Sequence, residues 1–235
     1  MVGLTINGTS GQPITGDTSL FAIAKLSIYN GACRFVGETR LATLTDNVPI
    51  RYLLDDVWNT NGVVSCLEMG QWNFAKRTSK LDYDSTIVPN FGYSNAFAKP
   101  GDWVRTMGVC SDDRFNIPLT RYSDEAGYIF SDLRTIYFAY VSSDPNYGGN
   151  LGLWPPSFTE AVQGYFGLQI MPNLTAASEP KLVAAGKRLE ELFKIAKNRD
   201  AMSEGTKFLP RGSWASARLG GWNRGDGGGN TSLFG

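Results

Sequence analysis

The chain has 235 residues, 42% of them hydrophobic, enough for one domain with an insertion or two small ones and too apolar for wholesale disorder. Its 22 basic side chains balance 22 acidic ones, and it has no histidine, which removes histidine triads, histidine metal sites and the usual near-neutral proton-transfer group. The longest apolar run, Ile136–Val141, falls far short of the roughly 20 residues of a membrane helix.

Residues 1–16 are polar and rich in Gly and Thr, and read as a flexible arm without the features of a signal peptide. From Asp17, the expected cap, Phe21, Ala24, Ile28, Ala32, Phe35 and Val36 recur at helical spacing until Gly37 stops them. A second helix is expected from Asp46 and Pro49 to Gly70, with Ile50, Leu53, Leu54, Val57, Val64 and Leu67 on its apolar face. Asn59–Gly62 weakens its middle. The helix then gives way at once to alternating residues at Trp72-Asn73-Phe74-Ala75, with no hinge between.

Across residues 72–143, Gly, Pro and Asp punctuate short alternating runs. The predicted strands are Trp72–Leu81, Trp103–Cys110, Asn116–Tyr122, Tyr128–Phe130 and Thr135–Val141, an antiparallel sheet or small sandwich. Asp84–Pro100 is a long excursion between the first two. After a Pro/Gly loop over residues 144–156, Ser157-Phe158-Thr159-Glu160 fits a capping box opening a third helix that Pro172 closes. A fourth helix, about Ala176–Met202, carries Leu182, Ala185, Leu189, Leu192, Phe193 and Ala196 on one side. The expected architecture is α+β: a four-helix body with an antiparallel β insertion between its second and third helices, an N-terminal arm and a C-terminal tail. The body comprises residues 17–71 and 144–204, the insertion 72–143, and the tail 205–235.

The tail holds nine Gly, and its Lys207, Arg211, Arg218 and Arg224 against Asp226 make it +3, so the other 204 residues are −3. A mildly acidic body does not capture nucleic acid, which needs Lys/Arg clusters that release counterions. Cys33, Cys66 and Cys110 stand singly among apolar neighbours with no CxxC pair, as expected of buried reduced thiols rather than a disulfide framework or zinc site.

Three stretches carry a resemblance in their order and spacing: RYLLDDVWNT…CLEMGQWNFAKRTSKLDYD at 51–84, FGYSNAFAKPGDWVRTMGVCSDD at 91–113, and YSDEAGYIFSDLRTIYFAYVSSDPNYGGNLGLWPPSFT at 122–159. With Pro210-Arg211-Gly212-Ser213-Trp214 and Arg218, the chain resembles tail tubular protein A of short-tailed phages, the adaptor ring between portal and tail nozzle. The resemblance implies a non-enzymatic virion protein of the tail neck, made in the host cytoplasm and assembled as a ring of 12 copies. Its implied partners are itself, the portal protein, a nozzle of the tail tubular protein B type, tail fibres, and duplex DNA passing through the lumen without sequence-specific binding. No cofactor, metal or membrane is implied.

Arg211, Trp214, Arg218 and Trp222 are the expected portal contacts, Trp and Arg being the commonest interface anchors. Asp55 and Asp56 are the expected subunit-interface carboxylates. Paired acids also occur at Asp82/Asp84, Asp112/Asp113 and Asp124/Glu125, which keeps open an alternative: a carboxylate-based polysaccharide hydrolase or sugar-binding tail component, with Tyr147 and Trp154 as a stacking face. Neighbours on one helix point about 100° apart, however, so Asp55 and Asp56 do not face a common substrate by themselves. A third reading, single-strand binding on Tyr137 and Tyr140, competes with burial of alternate residues in a strand. Gly164–Gly167 spells GxxG inside an apparent helix rather than in the loop of a nucleic-acid clamp.

Overall fold

A computed structural model describes residues 18–89, 92–174 and 178–203; the predicted arm, the Asp17 cap, Ala176 and the tail lie outside the described residues. The fold is mixed α and β, with five α-helices and two small antiparallel sheets among the described residues. Helix α1 (Thr18–Val36) ends as its glycine requires: Gly37 adopts φ +84°, and the Glu38 N–H bonds the Cys33 carbonyl at 2.9 Å, closing a Schellman motif.

The long second helix is two helices. α2 (Pro49–Asn59) stops at Thr60, Asn61 turns into the left-handed region at φ 65°, and α3 (Gly62–Glu68) restarts the chain. Gly62 permits the restart, since a Cβ there would lie 2.6 Å from the Val57 carbonyl and 3.2 Å from the Phe166 ring. Asp46 does not cap α2 either. Val48 is the cap residue, Pro49 takes the first helical position, and the Asp46 carboxylate instead holds the preceding turn through Ala42 N at 2.7 Å and Thr43 Oγ1 at 2.7 Å.

A 3-10 turn, Asn73–Ala75, separates Trp72 from β1 (Lys76–Asp82), so the first strand begins later than the alternation suggests. The central strand β6 (Thr135–Ser142) pairs antiparallel with β1 on one side and β3 (Trp103–Cys110) on the other. A second sheet orders β2 (Asn95–Ala98), β5 (Tyr128–Ser131) and β4 (Ser123–Glu125). β2 lies inside the predicted excursion. The predicted strand Asn116–Tyr122 is absent apart from a bridge between Cys110 and Pro118. Its start is consumed by a turn in which the Asp112 carboxylate accepts from Asn116 N and Ile117 N at 2.8–3.1 Å, and Pro118 has no N–H to offer a ladder.

Strand β6 serves two cores by its period-two alternation. Ile136, Phe138 and Tyr140 join Phe97 of β2, Val109 of β3 and Ile129 of β5 in the core between the sheets, while Val141 joins the helical core. Helix α4 (Pro156–Ile170) is buried on most sides, and α5 (Glu179–Met202) buries Ala185, Leu189, Phe193 and Ala196, the face its spacing predicts. The Ser157 capping box does not form: Pro155 is the cap, Pro156 opens the helix, and Ser157 sits in the first turn with 6% exposure. Gly164 and Gly167 are packing residues. A Cβ on Gly167 would meet Phe35 at 2.7 Å, and one on Gly164 would meet Leu192 at 3.0 Å, so the GxxG spacing lets α4 press against α1 and α5.

Strands β3 and β6 join the helical core to the core between the sheets, through Val104, Met107 and Val141, and within the helical core, just before β1, lies Trp72. Its indole is 1% exposed and donates to the Leu67 carbonyl at 3.0 Å and the Cys66 carbonyl at 3.3 Å, both in the last turn of α3. The ring lies 4.7 Å from Phe158 of α4, 5.9 Å from Phe74 and 6.5 Å from Phe193 of α5. One residue on, Asn73 donates its N–H to the buried Asp200 carboxylate at 2.7 Å and its amide to the Asp200 carbonyl at 3.0 Å, tying the last turn of α5 to the root of β1. Trp72→Ala is therefore expected to cost about 3–5 kcal/mol in urea unfolding, against less than about 1 kcal/mol for a surface aromatic.

Candidate functional site

Asp55 and Asp56 part company on α2. Asp55 turns toward α1, where it accepts from Tyr29 Oη at 2.7 Å and pairs with Arg51 at 2.6 Å and Lys25 at 3.5 Å. Lys25 in turn stands 4.8 Å over the Trp58 ring. Asp56, one residue on, is exposed. Burial pushes the Asp55 carboxyl up, but the Tyr29 hydrogen bond and the Lys25 and Arg51 charges outweigh it and hold it below the usual carboxylate range. The phenol of Tyr29 is pushed far up, first by burial and then by the carboxylate it serves. This cluster clamps α1 to α2, so the carboxylate expected at a subunit interface has three partners within its own chain.

A second carboxylate node, not anticipated from the sequence, sits between β3 and β6. Asp102 accepts from Ser142 Oγ, from Tyr140 Oη at 3.1 Å and from Arg77 at 2.9 Å, while Arg77 also reaches Asp144 at 3.5 Å. Burial raises the Asp102 pKa, and Ser142, Arg77 and Tyr140 together bring it below the ordinary value. The arrangement superficially suggests a nucleophile with an acid partner. Ser142 is fully buried, however, and Tyr140 is fully buried and stacked on Phe138 at 5.1 Å. It locks three segments of backbone together. Lys99 does the same between the sheets, its ammonium 3.7 Å over Trp103 and paired with Asp124 of β4.

Of the remaining acids, Asp82 on β1 accepts from Thr135 of β6 at 2.7 Å, Asp124 and Glu125 lie on β4, and Asp84 and Asp112 are turn-makers. Asp84 accepts from Thr86 N at 2.9 Å, and Asp112 closes the loop before Pro118. Of the expected aromatic platforms, Trp154 is 7% exposed with its N–H on the Gly148 carbonyl at 2.8 Å, Tyr147 lies under Arg77 and Tyr140 is interior, while Tyr137 is half-buried. Among the described residues no group of three or more Cys, Asp or Glu is arranged to hold a metal ion, and no helix is long and apolar enough to cross a membrane. Cys33, Cys66 and Cys110 are buried and form no disulfide with one another; burial pushes the Cys66 thiol far up, away from any nucleophilic role. The expected portal contacts Arg211, Trp214, Arg218 and Trp222 lie outside the described residues.

The outer faces of the helices carry the more informative signal. On α1, Leu20 is 64% and Ile23 65% exposed, three residues apart and therefore on one face, while Ile28, Tyr29 and Ala32 of the same helix are interior. On α5, Val183, Ile195 and Met202 are exposed. Reading α1 as one apolar stripe hides this, because its first turns are apolar on two sides; Leu20 and Ile23 fall off the 21–24–28–32 ridge and could have been recognised by that displacement. Comparison with protein-family models finds no match, and comparison with curated proteins finds no significant relative.

The two carboxylate nodes set an acid limit on stability. A carboxyl whose folded pKa lies below its unfolded value, about 3.9 for Asp, stabilises fully above that value and loses the contribution as pH falls through the folded pKa. Asp102→Asn is expected to lower stability by about 1.5–3 kcal/mol at neutral pH, the range for hydrogen bonds to a charged group. The gap to the unmodified chain should narrow as pH falls below the ordinary Asp value of about 3.9 and toward the lower folded one. Urea unfolding at a series of pH values measures it; a gap constant with pH contradicts the assignment.

Proposed function

We propose that the chain is a structural virion protein of the tail tubular protein A type: a subunit of the ring that joins the portal to the tail nozzle and extends the DNA channel in a short-tailed phage. In this reading α2 and α3 together count as one interrupted helix of a four-helix body, and the paired sheets are the insertion between it and α4. Resemblance over residues 51–84, 91–113 and 122–159 supplies the identity of the assembly.

The observation that carries the reading is the two-sided apolar character of α1. A helix that buries Ile28, Tyr29 and Ala32 and still presents Leu20 and Ile23 at 64% and 65% exposure is built to meet a further surface. In a cyclic ring that surface belongs to a different face of the next copy, since such contacts are heterologous. The carboxylates supply no opposing chemistry, because Asp55 and Asp102 are consumed by internal partners. The body, −3 outside the basic tail, suits a conduit through which duplex DNA slides without being held.

Mixing the purified chain with a portal ring and imaging by negative stain tests the proposal: an added annulus beneath the portal is the expected result, and a persistent monomer beside bare portals contradicts it. Leu20→Asp with Ile23→Asp is expected to weaken ring formation at least tenfold, about 1.4 kcal/mol, in sedimentation velocity, with an unchanged far-UV circular dichroism spectrum.

A further inference from the structure

The groove between α1, α4 and α5 is lined by arginines that form no ion pair among the described residues. Arg34, Phe35, Glu160, Gln163, Gly164, Arg188 and Leu192 surround a recess of 320 Å³; a neighbouring recess shares Arg34 and Gln163 and adds Arg40. Several half-buried cations elsewhere are neutralised: Arg51 and Lys25 by Asp55, Arg77 by Asp102, Lys99 by Asp124. The groove arginines are exposed and rest on neutral groups. Arg34 donates to the Gln163 carboxamide oxygen at 3.4 Å, and Arg188 stands 5.0 Å over the Phe35 ring.

Both supports are themselves fixed. Gln163 is 9% exposed and donates from its amide nitrogen to the Ser27 carbonyl at 3.4 Å. Its side chain occupies space that only a glycine leaves free, because a Cβ on Gly31 would lie 2.0 Å from the Gln163 amide carbon. Phe35 is wedged against Gly164 and Gly167. Two guanidiniums are thus oriented at a concave site whose lining holds two arginines against the single acid Glu160, with their planar donor forks available to an oxyanion.

We propose that this groove is an anion socket that receives a carboxylate side chain of a protein partner, gripped by Arg34 and Arg188 with Arg40 at the open end. An acidic protein segment fits better than a duplex backbone. Glu160 stands on the wall of the recess and repels a dense line of phosphates, whereas a single carboxylate can seat on the arginine side. The site lies toward the other end of α1 from Leu20 and Ile23 and does not depend on the ring reading.

Nitrogen-15 NMR of the arginine Nε–Hε groups in the full chain tests it, with inorganic phosphate titrated at constant ionic strength. Arg34 and Arg188 should shift together and saturate with one millimolar dissociation constant, while exposed Arg114 and Arg121 drift without saturating. A common, unsaturating drift of all four means ionic screening alone and overturns the socket. Glu160→Gln, which leaves both arginines and the packing in place, should tighten phosphate about two- to fivefold, the size of an exposed charge pair; Arg188→Gln should abolish saturation at Arg34. An unchanged constant in either variant contradicts the geometry. A glutamate-rich peptide should compete with phosphate, and duplex DNA at equal charge concentration should not. Competition by the duplex, or none by the peptide, overturns the protein-carboxylate assignment.

Discussion

The indole of Trp72 has to satisfy two demands at once, and the rest of the molecule follows from how it does so. Its N–H must find an acceptor, since an unpaired buried donor costs about 1–3 kcal/mol, and its ring must be enclosed. The end of α3 supplies the acceptors in the Cys66 and Leu67 carbonyls, and α4 and α5 supply the enclosure through Phe158 and Phe193. The chain leaving Trp72 has a single direction open to it, through the Asn73–Ala75 turn into β1. Asp200 closes the arrangement from the far end of α5 by taking the Asn73 N–H. Helices separated by more than a hundred residues of sequence are thus committed to the place where the sheet begins.

Charged groups then do for the sheets what Trp72 does for the junction. Asp102 gathers Arg77, Tyr140 and Ser142 from β1 and β6, and Lys99, paired with Asp124 within the second sheet, reaches the first by covering Trp103. Such half-buried charges are stabilising only when their hydrogen bonds are complete, and among the described residues no buried side-chain polar atom is left without a partner. The result is an interior whose ionisable groups are all engaged. Among the described residues, the outer surface carries the exposed apolar residues of α1 and α5 and the arginine groove beside α4. A protein that acts through its surfaces needs this division, because interface side chains keep their geometry only when the elements carrying them do not move.

Helices and the longer strands were legible because their periodicity is strong: α1, the burying face of α5, β3 and β6 follow from spacing alone. What was not legible depended on neighbours in space. The break at Asn61 is favoured by Gly62 fitting against Phe166 of a helix a hundred residues on, and nothing local distinguishes it from a weak spot. β2 and β4 are three or four residues long and exist through pairing with β5. Pro155-Pro156 overrode the Ser157–Glu160 capping pattern because proline at the first turn sets the start of the helix before serine can. Of the residues singled out, Asp55 was correctly noticed as unusual, yet its role is read from Tyr29 and Lys25, 26 and 30 positions away. Asp102 and the Gly31–Gln163 contact carry no local signature, since their meaning arises only when α1 meets α4 or β3 meets β6.

The central claim is that sheet and helices form one unit through Trp72, so that the outward faces are rigidly presented. Native-state hydrogen exchange of the free chain tests this most directly. The account predicts that the amides of β6 and those of the α4 interior open with one common free energy and share its dependence on urea. A sheet that opens several kcal/mol more easily than α4, with its own smaller urea slope, would mean that the junction does not couple them and would contradict the account.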